Sequence, residues 1–126
     1  MILVDTSTWV GHLRVSNPIL EDLLQSGWVL THPFVIGELA LGHLRRPEIM
    51  LAELQLLPRA AMASDAEVLR LIVQGGLVAS GIGYVDAHLL AATRLTNGAT
   101  FWTHDKRLRA AAERLGVATD SASLKT

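Results

Sequence analysis

The sequence has no cysteine, so it forms no disulfide and offers no thiolate to a metal ion. It also lacks a long hydrophobic run. The longest apolar stretch, Leu71 to Val85, is interrupted by Gln74, Gly75, Gly76, Gly81 and Gly83, and is too broken to span a bilayer. No cluster of basic residues precedes the first apolar run, and Asp5 cuts that run short, so no secretory signal is visible. An excess of one charge is missing as well. The 11 Lys and Arg against 12 Asp and Glu give a net charge of −1. That balance excludes bulk electrostatic coating of nucleic acid, but not an enzyme whose site has a local basic rim. From these absences a soluble cytoplasmic protein with no membrane contact is expected.

What is present is one domain's worth of chain, residues 1–126, with half of its residues apolar. A chain of this length buries roughly two-thirds of its unfolded surface. No internal repeat, linker or low-complexity tract divides it. Short β-like runs alternate with helical patterns. The expected strands are Ile2–Asp5, Trp28–Thr31, Ala60–Ala63, Thr100–Thr103 and, more weakly, Val117–Thr119. The first, second and fourth are nearly all apolar, as strands covered on both faces should be. Helix ends are marked between them. Asn17-Pro18 caps "ILEDLLQSG" and Gly27 stops it; Pro33 opens "FVIGELALGHL"; Ser64 and Glu67 form a capping box before "VLRLIVQ". A helix from near Tyr84 ends at Asn97-Gly98, and "DKRLRAAAERLG" stops at Gly116. Alternation at this spacing predicts an α/β fold: a mostly parallel sheet of about five strands with helices on both faces.

In such a fold, ligands bind outside the carboxyl ends of the strands. Asp5 ends the first strand, where a buried carboxylate needs a basic partner, backbone donors or a metal ion. Asp105 follows "TFWTH" at the equivalent edge. Glu38 lies in the helix after Trp28–Thr31, among Val35, Ile36, Leu39 and Leu41. Asp86 stands in the first turn of the helix that feeds "ATFWT" and so begins at the same edge. Asp86 and Asp105 also suit helix first turns, where an acid complements the helix dipole. The remaining acids fit helix starts or solvated faces. Four carboxylates on one rim, with no Lys or Arg interleaved, repel one another, and a divalent cation removes the conflict. An all-oxygen set favours magnesium or manganese over zinc.

The stretches "ILVDTSTWVGHLR", Glu38-Leu39, "GYVDAHLLAAT" and "FWTHDKRL" together resemble the PIN domain, and more narrowly the VapC toxins of prokaryotic toxin–antitoxin pairs. The resemblance covers nearly the whole chain, with four motifs in the family's order and spacing. It implies a PIN-like three-layer sandwich and a magnesium- or manganese-dependent endoribonuclease acting on transfer or ribosomal RNA. It places the catalytic acids at Asp5, Glu38, Asp86 and Asp105, with Asp5, Asp86 and Asp105 as metal ligands. It assigns supporting hydroxyls to Thr6, Ser7 and Thr103. His104 falls at a position that varies in the family. The resemblance also implies a homodimer and a VapB-type antitoxin whose C-terminal segment lies on the leucine-rich helices between Trp9 and Leu57.

Arg14, Lys106 and Arg107 are candidates to hold RNA phosphates, with Arg45, Arg46 and Arg109 as further cations. The five histidines form no ligand set and suit surface or capping positions. Trp28 and Trp102 fall in expected strands and read as core; Trp9 is open to either reading. The competing class is a non-catalytic acidic binding module, PIN-like or receiver-like. A receiver needs adjacent acids near its first strand and a lysine after its last, and the sequence has neither.

Overall fold

A computed structural model describes residues 1–120 and Leu124. Three parallel strands form the sheet: β1 (Ile2–Val4), β2 (Val29–Leu30) and β3 (Thr100–Trp102), in the order β2-β1-β3. β1 pairs through Ile2 and Leu3 with Val29 and Leu30, and on its other side with all of β3. Successive strand residues point to opposite faces. Leu3, Val4, Val29, Leu30, Phe101 and Trp102 are nevertheless all buried, so both faces are covered.

The helices are α1 (Thr6–Arg14), α2 (Pro18–Gln25), α3 (Pro33–Ala40), α4 (Pro47–Gln55), α5 (Asp65–Gln74), α6 (Tyr84–Leu95) and α7 (Lys106–Arg114). Their ends follow local chemistry. Asn17 Oδ1 accepts from the Ile19 and Leu20 amides, and Ser64 and Glu67 close their capping box in both directions. Gly27 and Gly116 take positive φ just beyond α2 and α7, where a side chain would be strained.

The expected count of about five strands is corrected to three among the described residues. Ala60–Ala63 forms no ladder, since the bridge in that region, Thr31 with Arg59, falls one residue before it, and Val117–Thr119 pairs at a single bridge, Phe101 with Ala118. Pro58 has no amide to extend the first bridge, and the Ala61 amide turns instead to Thr96 Oγ1. The helix that Pro33 opens does not run the length of "FVIGELALGHL". It ends at Ala40, and Pro47 opens α4, whose bounds, like those of α1, the sequence pattern left undrawn. Trp28 precedes β2 and is 53% exposed, so it is not core, whereas Trp9 and Trp102 are buried. Most of the leucine surplus is absorbed by packing, but Leu41 and Leu56 remain 91% and 85% exposed. Among the described residues, no helix is long and apolar enough to cross a membrane.

From β1 the chain steps to β2 on one side and later crosses to β3 on the other. β1 is therefore the topological switch point, and its carboxyl end opens a crevice between diverging connections. Asp5 is the residue at that end.

Candidate active site

Asp5 continues the sheet through its amide, which donates to the Trp102 carbonyl at 2.9 Å, and is also the N-cap residue of α1. Its carboxylate makes no cap bond. Instead, Ser7 Oγ and Thr103 Oγ1 each donate to Asp5 Oδ2 at 2.7 Å. Thr103 Oγ1 also accepts the Asp105 amide, and Ser7 Oγ the His104 amide. These bonds lock the end of β3 to the start of α1 around a carboxylate that is only 5% exposed.

The other acids come from three helices. Asp105 is the N-cap of α7, and its Oδ1 accepts the Leu108 amide at 3.0 Å. Asp86 Oδ2 accepts the Gly83 amide at 3.2 Å from the first turn of α6. Glu38 Oε1 accepts the Thr6 hydroxyl at 2.7 Å, which ties α3 to α1. The apolar crowding expected around Glu38 is not found: Val35, Ile36 and Leu39 are buried in the core, while Glu38 and Leu41 are exposed. The helix-start reading of Asp86 and Asp105 is borne out, and it coexists with their place at the rim.

A common pattern emerges. Each of the four carboxylates spends one oxygen on a hydrogen bond from the chain. The second oxygen of each has no hydrogen-bond partner among the described residues. Neither ion pair among the described residues, His88 with Asp65 and Arg109 with Glu113, involves any of the four. Burial raises Asp86 above the ordinary carboxylate range. The Gly83 amide opposes that shift, while the charges of Asp5, Glu38 and Asp105 add to it. The four acids thus share one electrostatic neighbourhood. They have not closed into a cage: among the described residues, no three His, Asp or Glu side chains form a ready cluster for an ion. The donor set nonetheless suits a hard divalent cation. It is all oxygen, each member is oriented through one atom, and the charge is unbalanced.

The candidate cations divide. Lys106 and Arg107 open α7 directly after Asp105. Arg14 closes α1, ~12 Å along the helix axis from the acidic end, and does not join them. Two histidines depart from a surface or capping role or extend it. His88 is buried and pairs with Asp65, which also accepts the Tyr84 hydroxyl. His32 is a cap, as expected, but fully buried: its Nδ1 accepts the Phe34 amide. Burial, then His88 and Arg59, push its pKa down to about 4. The sequence reading missed Thr8, whose Oγ1 lies 2.9 Å from His104 Nδ1, and Gly83, the amide that orients Asp86. The second was legible, since Gly83 stands three residues before Asp86, the N-cap to N3 spacing.

A parallel sheet whose strand order reverses at β1, with acids from four elements at its carboxyl edge, defines a PIN-domain protein. Residues 2–114 match the PIN domain family, and the chain belongs to it. Two relatives, each called Ribonuclease VapC32 and from two strains of Mycobacterium tuberculosis, are 45% identical to it over 118 residues. The match covers 94% of this chain and 95% of theirs. The receiver-like alternative is thereby set aside.

Proposed function

We propose that the protein is a magnesium- or manganese-dependent endoribonuclease, the toxin of a VapBC-type toxin–antitoxin pair, working as a single domain over residues 1–126 in the cytoplasm. The observation that carries this reading is the second oxygen of each of Asp5, Glu38, Asp86 and Asp105, which the protein orients but does not use. Asp5, Asp86 and Asp105 would hold the cation, and Glu38 would complete the set or orient water. When bound, the cation would supply a Lewis acid for a phosphoryl oxygen of the scissile group and a water of lowered pKa for in-line attack. The chain's own part is positional. Ser7 and Thr103 fix the Asp5 carboxylate, Thr6 fixes Glu38, and the Gly83 and Leu108 amides fix Asp86 and Asp105. The relatives' name supports RNA as the substrate, and transfer and ribosomal RNA are the two targets to test.

Hydrolysis by a water leaves a 5′-phosphate downstream and a 3′-hydroxyl upstream. Attack by the RNA's own 2′-hydroxyl leaves a cyclic phosphate and needs no metal. Adaptor ligation without kinase treatment should therefore capture the downstream fragments, and EDTA should stop the cleavage. Cyclic ends, or full activity in EDTA, would overturn the reading.

The raised pKa of Asp86 has a stability consequence. A carboxylate whose folded pKa exceeds its unfolded value costs stability as the pH rises past the unfolded value, and the cost is complete above the raised pKa. Asp86→Asn keeps an acceptor for the Gly83 amide but removes the charge. In EDTA at pH 7 this variant should melt at a higher temperature than wild type, and magnesium should raise its midpoint by less. If millimolar magnesium or manganese leaves both midpoints unmoved, the acids do not share an ion.

The partner surface follows the exposed apolar residues of the first four helices. Leu13 and Ile49 line a cleft of about 520 Å³ with Leu44, Met50, Arg45 and Arg46, and Val10 and Leu41 are exposed nearby in sequence. This surface fits a VapB-type antitoxin segment carrying apolar side chains, and the homodimer contact belongs to the same proposal. Leu13→Glu and Ile49→Glu should weaken antitoxin binding at least tenfold by calorimetry while the free toxin still cuts RNA. Unchanged affinity would move the groove elsewhere.

A further inference from the structure

A rim of four carboxylates repels a polyanionic substrate, and a net charge of −1 gives no compensating attraction at a distance. RNA needs local cations held in place. Arg107 and Arg114 lie seven positions apart on α7, two turns along one face and ~10 Å along the axis. Arg107 begins beside the acids, and Arg114 lies at the far end of the helix. Neither has a carboxylate within salt-bridge distance among the described residues, whereas Arg109, on another face, is paired with Glu113.

Both side chains rest on the glycines of the loop between α5 and α6. A Cβ on Gly81 would meet Arg107 Cδ and Nη1 at 3.0 Å. One on Gly76 would meet Arg114 Nε at 2.9 Å and Nη2 at 3.0 Å. Both glycines also have positive φ, 85° and 71°, so the loop needs them for its path as well as for this approach. The loop thus seats two unpaired guanidinium groups beside a cleft of about 380 Å³, lined also by Leu77, Ser80 and Ala111. Holding an arginine against backbone lowers the entropy lost when it binds a phosphate.

We propose that Arg107 and Arg114, seated on Gly81 and Gly76, form a track for the sugar–phosphate backbone of the RNA strand leaving the acidic rim along α7. The proposal rests on the ribonuclease reading for its substrate, but it is tested without cleavage. In an Asp5→Asn background, a fluorescein-labelled single-stranded RNA of mixed sequence is titrated by anisotropy across a range of NaCl concentrations. Each phosphate contact on a single strand adds about 0.7 to the slope of log affinity against log salt. Arg107→Gln/Arg114→Gln keeps much of both packing stems and should flatten the slope by about 1.4. The lysine pair Arg107→Lys/Arg114→Lys should restore most of that slope. Arg70→Gln/Arg94→Gln removes the same charge from the α5–α6 face and should leave the slope as it was. Equal slopes for the two glutamine pairs, or no loss in either, would overturn the track. Failure of the catalytic reading would appear separately, as EDTA-resistant cutting by the protein with Asp5 intact.

Discussion

Asp5→Asn will slow RNA cleavage by more than about a hundredfold while leaving the fold in place. The magnitude follows from the bonds at the site. Thr103 and Ser7 act on the Asp5 carboxylate, each orienting Oδ2 from 2.7 Å. Loss of such an orienting partner costs about 10–100-fold in metal affinity or activity. Thr103→Val should fall in that range, and loss of the Asp5 charge should exceed it. The amide oxygen of asparagine still accepts from both hydroxyls, so circular dichroism and the melting midpoint should show an intact protein. His104→Ala should lose little, because the His104 ring bonds to Thr8 and packs on Trp102 rather than on any acid. Initial rates on one RNA, at saturating magnesium, check all three. A variant with Asp5→Asn that cuts at a wild-type rate would remove this carboxylate from the chemistry.

His32 will make the fold acid-sensitive. Its side chain is fully buried and its pKa is about 4 in the folded protein, against 6.5 for the free side chain. Between those values the unfolded chain binds a proton that the folded protein does not. Stability contributed by neutral His32 is therefore complete above pH 6.5 and is lost as the pH falls through the window, by about 3 kcal/mol in all. Asp86 acts with the opposite sign, since its folded pKa is raised. The difference between wild type and a His32 variant cancels that contribution. His32→Asn keeps an acceptor for the Phe34 amide and has no titrating group. Urea midpoints measured from pH 7 to pH 4 should fall less steeply in the variant. Parallel declines would show that His32 titrates alike in the folded and unfolded states.

Local physics made much of this protein legible in advance. A cap, an N1 proline or a terminal glycine acts within one turn of helix. Asn17, Pro18, Ser64, Glu67 and Gly116 therefore marked their helix ends without any knowledge of the rest of the chain. The acids were legible for a related reason. Asp5, Asp86 and Asp105 all sit where a strand ends or a helix begins, and parallel topology sends those points to one edge. Strand number was less legible, because an edge strand needs a ladder and Pro58 withholds an amide that its neighbour cannot replace.

By itself, then, the sequence determined the alternation of elements, the helix boundaries set by caps and glycines, and the set of acids at the carboxyl edge. Only the tertiary structure decided how those acids are oriented. The Thr103 hydroxyl reaches Asp5 across 98 residues, and Thr6 reaches Glu38 across 32, so which oxygen is engaged and which is left over depends on packing between elements. The same holds for Trp28, apolar in sequence but 53% exposed just before β2. It holds too for Arg114, whose seat on Gly76 joins two segments that no local signal connects. Short-range hydrogen bonding and steric preference are written into neighbouring residues, whereas the position of a charge relative to another charge exists only once the chain has closed its sheet.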